Sequence, residues 1–308
     1  MTRHVNNGAS ARHSRFGLTG PDDMLDDTGE TSDFPLDPAV RDILKICPPL
    51  EGDRYRDGQL LFRRASNQQT LMLAWLEEHF LPQLGAETIR FLSIGAGTGI
   101  FDKQLIQAFL SKNLRIHYEG LDPNQAVLYL LENSLRPLTG EKLAVTVLLS
   151  DFESYQTLEK FNFILLVHTH YFFYDLCQNL QKAWDLLEGG GSIILFSALD
   201  IFLSQFFNVT FQCNFGHPPW LSHHVQKALM ALKIPFHSES IHAVLDISTC
   251  FGNDEKTAND LLNFIIHADV TNIYGKDILL ACLKENAVQE NDRYLLPHTV
   301  DVFTIRKP

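Results

Sequence analysis

Strand-sized apolar runs alternate with stretches of helical period through the middle of this chain. Ile89, Phe91, Leu92 and Ile94 form the first run, and residues 100–110 then carry apolar groups at helical spacing. The same alternation predicts strands over 114–121, 143–149, 161–168 and 192–197, with helices over 125–134 and 176–187 between them. A helix over 221–232, a strand near 241–247 and a last strand over 299–305 follow. Strands separated by helices of this length imply right-handed crossovers, so the fold class is α/β with a mostly parallel sheet covered on both faces. The stretch between the last two strands holds helical segments at 258–268 and 278–286. It is too long for a hairpin turn and predicts a cap or a substrate-binding insertion.

Between the first strand and the first helix stands Gly95-Ala96-Gly97-Thr98-Gly99. A glycine-rich turn at this place lets a ligand lie against bare backbone at a helix N-terminus. The dinucleotide fingerprint G-x-G-x-x-G fits poorly, because Ile100 stands where its third glycine belongs. The G-x-G-x-G form resembles the first motif of the Rossmann-like S-adenosylmethionine-dependent methyltransferases. The second strand ends in Asp122-Pro123-Asn124, with Asp122 lying 23 residues beyond Gly99. In nucleotide-binding α/β folds an acid at that tip accepts hydrogen bonds from two ribose hydroxyls, and its charge strengthens both. A turn aspartate before a proline is the plain alternative; the glycine turn at this spacing favours the ribose.

Composition narrows the function classes. The 308 residues are 45% hydrophobic and 20% charged, enough for one substantial core plus an insertion. A net charge of −12, with no basic cluster longer than Arg63-Arg64, argues against nucleic acid as a partner. The densest apolar run, 161–167, is strand-sized, so no membrane span is expected. Cys47, Cys177, Cys213, Cys250 and Cys282 lack C-x-x-C spacing, which predicts reduced thiols in a cytoplasmic protein and no zinc site. Residues 1–36 are polar and acidic, with Asp22-Asp23 and Asp26-Asp27, and the first 45 residues are expected to form an acidic tail outside the fold.

Three blocks make the resemblance narrower. Leu92-Ser93-Ile94 precedes the glycine turn, and His168-Thr169-His170-Tyr171-Phe172 ends the fourth strand. The least generic block is Val244-Leu-Asp-Ile-Ser-Thr-Cys-Phe251, followed by Asn253-Asp254-Glu255 and Leu261-Leu262-Asn263-Phe264. From about Tyr55 to Ile305 the chain resembles the histamine N-methyltransferase family. The resemblance implies a seven-stranded, mostly parallel class I methyltransferase sheet with a smaller substrate region. It implies S-adenosylmethionine as cofactor, a small imidazole or amine as methyl acceptor, and a monomer. The expected division is a cofactor domain over 46–250, a substrate insertion over 251–298, and residues 299–308 returning to the sheet.

The resemblance also implies site residues. Gly95, Ala96 and Gly97 would lie beside the amino-acid end and ribose of the cofactor, with Asp122 and Pro123 at the ribose. Asp151 or Phe152 would flank the adenine, although Asp151 reads equally well as a helix N-cap. Val167 would close strand four. Histamine methylators hold their substrate with a glutamate on an early helix, a glutamine ending strand four and an asparagine near the last strand. The matching positions here are Gln69 (Gln68 if the register slips by one), His168 and His298, and these are the expected catalytic positions. All three are polar, but the carboxylate is gone. A cationic acceptor would lose a charge-assisted contact of about 1.5–3 kcal/mol, so an acceptor less cationic than histamine is implied. Tyr55, Tyr171, Phe172 and Phe207 are the implied aromatic walls, whereas Phe173 and Phe206 read as core. His168 would orient the nucleophile or take its proton. Two rival readings are methylation of another nitrogen or oxygen nucleophile, such as a natural-product intermediate, an amino acid or a peptide, and a catalytically silent scaffold.

Overall fold

The computed structural model of the protein describes residues 36–85 and 88–308. Its strands are β1 Thr88–Ile94, β2 Arg115–Asp122, β3 Leu143–Leu149, β4 Phe161–Val167, β5 Leu187–Ala198, β6 Phe236–Ile241, β7 Val244–Asp246, β8 Val288–Glu290, β9 Arg293–Pro297 and β10 Val300–Arg306. Seven of them form one sheet in the order β3-β2-β1-β4-β5-β10-β6. Strands β1 to β5 pair in parallel, and β10 lies antiparallel between β5 and β6. The helices are α1 Pro38–Lys45, α2 Gly52–Ala65, α3 Gln68–Trp75, α4 Ile100–Ser111, α5 Gln125–Leu135, α6 Leu176–Leu186, α7 Phe202–Phe215, α8 Ser222–Ala231, α9 Glu255–Ile266 and α10 Lys276–Glu285. None of the described helices is long and apolar enough to cross a membrane.

The period of two along each strand divides the apolar residues between the two faces of the sheet. Phe163 and Leu165 of β4 enter the cluster of Met72, Ile106 and Leu131 from α3, α4 and α5. Ile164 and Leu166 point the other way, against Leu180 of α6 and Ala228 of α8. Both faces are covered, so the central strands are apolar throughout instead of alternating with polar residues. The glycine loop after β1, the tip of β2 and the end of β4 all lie along the carboxyl edge of the parallel strands, where such sheets bind ligands.

Three expectations change in the structure. The strand expected near 241–247 is two strands: β6 edges the large sheet, while β7 joins a separate antiparallel sheet in the order β7-β9-β8. Continuous apolar character hides a chain that crosses from one sheet to another. The tail boundary at 45 is too late. Pro38–Lys45 is a helix capped by the Asp37 side chain, and Leu36, Val40 and Leu44 are buried. The first 35 residues lie outside the described part. The segment 251–298, expected as a substrate insertion, does not pack by itself, because its apolar cluster gathers residues from α1, α7, α9, α10, β7 and β9.

Candidate functional site

The three loop glycines have different roles. All have positive φ, at 67° for Gly95, 55° for Gly97 and 70° for Gly99, a conformation that a Cβ makes costly. At Gly95 a Cβ would meet Thr169 Oγ1 at 1.9 Å, so the loop is held tight against the end of β4. At Gly99 it would meet Leu131 of α5 at 2.1 Å. Only Gly97 opens onto free space, with nothing within 4 Å of its missing Cβ. The bare backbone that could take a ligand is therefore at Gly97, beside Ala96, whose N–H donates to the Leu121 carbonyl at 2.9 Å.

Asp122 ties this loop to β2. Its Oδ2 accepts from Gly97 N–H at 3.0 Å and its Oδ1 from Asn124 N–H at 2.9 Å. Desolvation raises its pKa above the ordinary carboxylate value, and the two backbone bonds oppose that shift. Each oxygen keeps a further lone pair, so the side chain can still accept two hydroxyls. Pro123 follows on the exposed surface. Asp151 is exposed and accepts from Ser154 N–H at 2.6 Å, which is the capping alternative. Phe152 departs from expectation. It is buried between Tyr155 and Phe173 with the Lys182 ammonium over its ring, because the chain turns back under the sheet after β3. Val167 sits part-buried at the end of β4.

Past Val167 the backbone enters the left-handed region at His168, φ 53°, which a histidine seldom adopts. From there a closed circuit of rings can be followed. Centroids are separated by 5.9 Å from His168 to Tyr171, 5.5 Å from Tyr171 to Phe207 and 4.5 Å from Phe207 to His267. They continue at 5.1 Å to Phe264, 5.0 Å to Phe62 and 5.0 Å to His298. Gln68 closes the circuit: its Oε1 accepts from His168 Nε2 at 2.9 Å and its Nε2 donates to the His298 carbonyl at 2.9 Å. Tyr55, 39% exposed, stands at the rim with its ring 5.3 Å from Phe264.

Hydrogen bonds fix the protonation pattern. Tyr171 Oη accepts from Ala198 N–H and donates to His168 Nδ1, both at 2.7 Å. Gln68 Oε1 can only accept, so His168 is the neutral Nε2–H tautomer with both nitrogens committed. Ser66 Oγ accepts from Gln68 N–H and lies 2.8 Å from His298 Nδ1. His298 Nε2 and both nitrogens of His267 have no hydrogen-bond partner among the described residues, and none of them is an enclosed buried atom. All three histidines keep some accessible surface, yet desolvation pushes His168 to about 4, His298 to about 3 and His267 to about 4. At pH 7 the circuit holds three neutral imidazoles.

Two expected residues fall outside it. Gln69 turns away from the circuit, its Oε1 taken by the Arg63 guanidinium at 2.9 and 2.6 Å, and Gln68, the alternative one residue earlier, is the side chain that joins it. Phe172 is 52% exposed and packs on Phe211 and Phe215 outside the circuit, because the turn His170–Phe172 sends Tyr171 and Phe172 in opposite directions. The missed members are Ser66, Phe62, Phe264 and His267. Their only sequence signal is helical spacing, which serves a core equally well. His267 is the C-cap of α9 with φ 56°, a left-handed position that glycine usually fills. Nothing in the sequence separates it from the other histidines.

Known structures share the architecture. A candidate methyltransferase from Bacillus halodurans C-125 superposes with a TM-score of 0.53 at 16% identity, over 77% of this chain and 98% of its own. The YcgJ protein from Bacillus subtilis gives 0.53 at 14% identity, over 79% of this chain and 99% of its own. No protein-family model and no curated protein sequence matches the chain. Likeness at these identities speaks to the fold: a Rossmann-like, seven-stranded, mostly parallel sheet.

Proposed function

We propose that this chain is an S-adenosylmethionine-dependent methyltransferase acting on a nitrogen of a small acceptor less cationic than histamine, in the manner of the histamine N-methyltransferase family that its sequence resembles. One observation carries the reading: consecutive residues join two sites, since Thr169 seats the glycine loop at Gly95 while His168 opens the aromatic circuit. The fold is also that of a candidate methyltransferase.

The residues suit the cofactor. Gly97 leaves room for a ligand against backbone, and the Asp122 oxygens can take a pair of ribose hydroxyls. S-adenosylmethionine supplies, when bound, an activated methyl group. The protein's own task is then to align a lone pair and to exclude water. Phe62, Phe207 and Phe264 wall the acceptor space, and Gln68 with Tyr171 locks the His168 ring in place. His298 Nε2 and the His267 ring nitrogens are the polar groups left to hydrogen-bond an acceptor, and the His267 ring, held neutral by burial, would orient it.

Titration with S-adenosylhomocysteine should raise the melting temperature by several degrees, since 100 Kd of ligand stabilises by about 2.7 kcal/mol. No rise at millimolar ligand would favour the silent scaffold. Asp122→Ala should weaken binding by about 10- to 100-fold, the loss of about 1.5–3 kcal/mol expected for a charged acceptor. Unchanged affinity by calorimetry would refute the ribose assignment.

The acceptor reading has its own test. No fixed charge stands in the circuit, and a buried ammonium without a paired charge is costly. Gln68→Glu should raise kcat/KM for histamine relative to the best neutral acceptor found in a mass-spectrometric methylation screen. Efficient histamine turnover by the wild type, unimproved by Gln68→Glu, would mean that another acid supplies the charge.

A further inference from the structure

Arg63 is the one described arginine that is not exposed. Arg54, Arg90, Arg136 and Arg293 pair with Asp269, Glu188, Glu132 and Asp246, whereas Arg63 has no carboxylate partner among the described residues. Its Nε and Nη2 both donate to one neutral atom, Gln69 Oε1. Burial lowers its pKa, and no neighbouring carboxylate offsets that shift. A half-buried guanidinium satisfied by a single amide is unfavourable unless an anion completes it.

Its location indicates where that anion would come from. Gln69 Nε2 approaches Gln104 Oε1 at 3.5 Å, and Gln104 lies four residues into α4, the helix that starts at the glycine loop. At 1.5 Å of rise per residue, this polar group stands about 6 Å along the axis from the helix start. Gln68 and Gln69 are consecutive on α3, so the same turn serves the acceptor circuit with one side chain and Arg63 with the next.

We propose that Arg63, held in orientation by Gln69, is the anchor for a ligand carboxylate at the mouth of the site. The inference rests on the methyltransferase reading and extends it. Two carboxylates qualify: that of the cofactor's amino-acid moiety, and that of an amino-acid acceptor. The planar fork suits either through paired N–H···O bonds.

Calorimetry separates the cases. Wild type and Arg63→Met, which keeps the apolar stem, are titrated with S-adenosylhomocysteine and with 5′-methylthioadenosine, which lacks the amino-acid carboxylate. A loss of about 10- to 100-fold for the first ligand and none for the second is the expected result and identifies the cofactor carboxylate. If both affinities are unchanged, KM is compared for a carboxylate-bearing acceptor and its decarboxylated amine. A rise confined to the former identifies the acceptor as the source. No change in either experiment, or an equal loss for both nucleosides, overturns the assignment. Arg63→Lys, which keeps the charge without the fork, should fall between wild type and Arg63→Met. Failure of the wild type to bind either nucleoside would overturn the cofactor reading itself, a different outcome from a wild type that binds and a variant that binds equally well.

Discussion

Acidification from pH 7 to pH 5 should unfold a large share of this protein. Desolvation depresses five imidazoles: His168 and His267 to about 4, and His170, His224 and His298 to about 3. These folded values lie below the unfolded value near 6.5, so the folded state favours the neutral form. Their stabilisation is complete above pH 6.5 and is lost as pH falls towards 3–4, because only the unfolded chain takes up the protons. Each contributes up to about 1.4 kcal/mol per pH unit. His168, His267 and His298 open onto accessible space, so the five together are discounted to about 5 kcal/mol between pH 6.5 and 5. That approaches the whole stability of a typical domain. Two carboxyls work the other way, and burial raises Asp122 as well as Asp102. Asp102, buried beneath the glycine loop, is raised to about 6, so its contribution improves as pH falls from about 6 towards 3.8. These two carboxyls do not outweigh five imidazoles. Urea midpoints measured at pH 7.5, 6.5, 5.5 and 5 check this, and a flat profile would mean that these rings are not held neutral. A fall that flattens in His224→Asn would assign part of the slope to that ring.

Gly95→Ala should lower stability by about 3 kcal/mol, through the strain of a positive φ together with overpacking. The added methyl would stand 1.9 Å from Thr169 Oγ1 and 2.6 Å from its Cβ, so rotation of the hydroxyl alone cannot clear it. Thr169→Ala in the same chain should recover part of the loss, leaving the backbone strain. Gly97→Ala, with equal φ strain but open space, should cost less stability and more S-adenosylhomocysteine affinity. Thermal melts and calorimetry on the three variants decide the matter: equal destabilisation at Gly95 and Gly97 would refute the division of roles between them.

The elements of the sheet were legible in advance for a physical reason. Residues such as Phe163 to Leu166 are buried on both faces, so nearly every position on a central strand must be apolar, and the intervening helices declare themselves by their period. The glycine turn and Asp122 were legible too, because a backbone at positive φ and a carboxylate at a strand tip tolerate few residue types. The ring circuit was not. Its members come from α2, α3, α7, α9 and the loops after β4 and β9, and nothing local distinguishes Phe62, Phe264 or His267 from residues that simply fill a core. Helical phase decided between Gln68 and Gln69, since a shift of one residue rotates a side chain by about 100° and moves it from the His168 bond to Arg63. A three-residue turn likewise set Tyr171 inward and Phe172 outward. The sequence by itself determined the sheet, its loop and its acid, because backbone conformation and two-sided burial restrict residues one position at a time. The ring circuit and an Arg63 with no carboxylate partner among the described residues were decided by tertiary structure, because both depend on residues far apart in the chain.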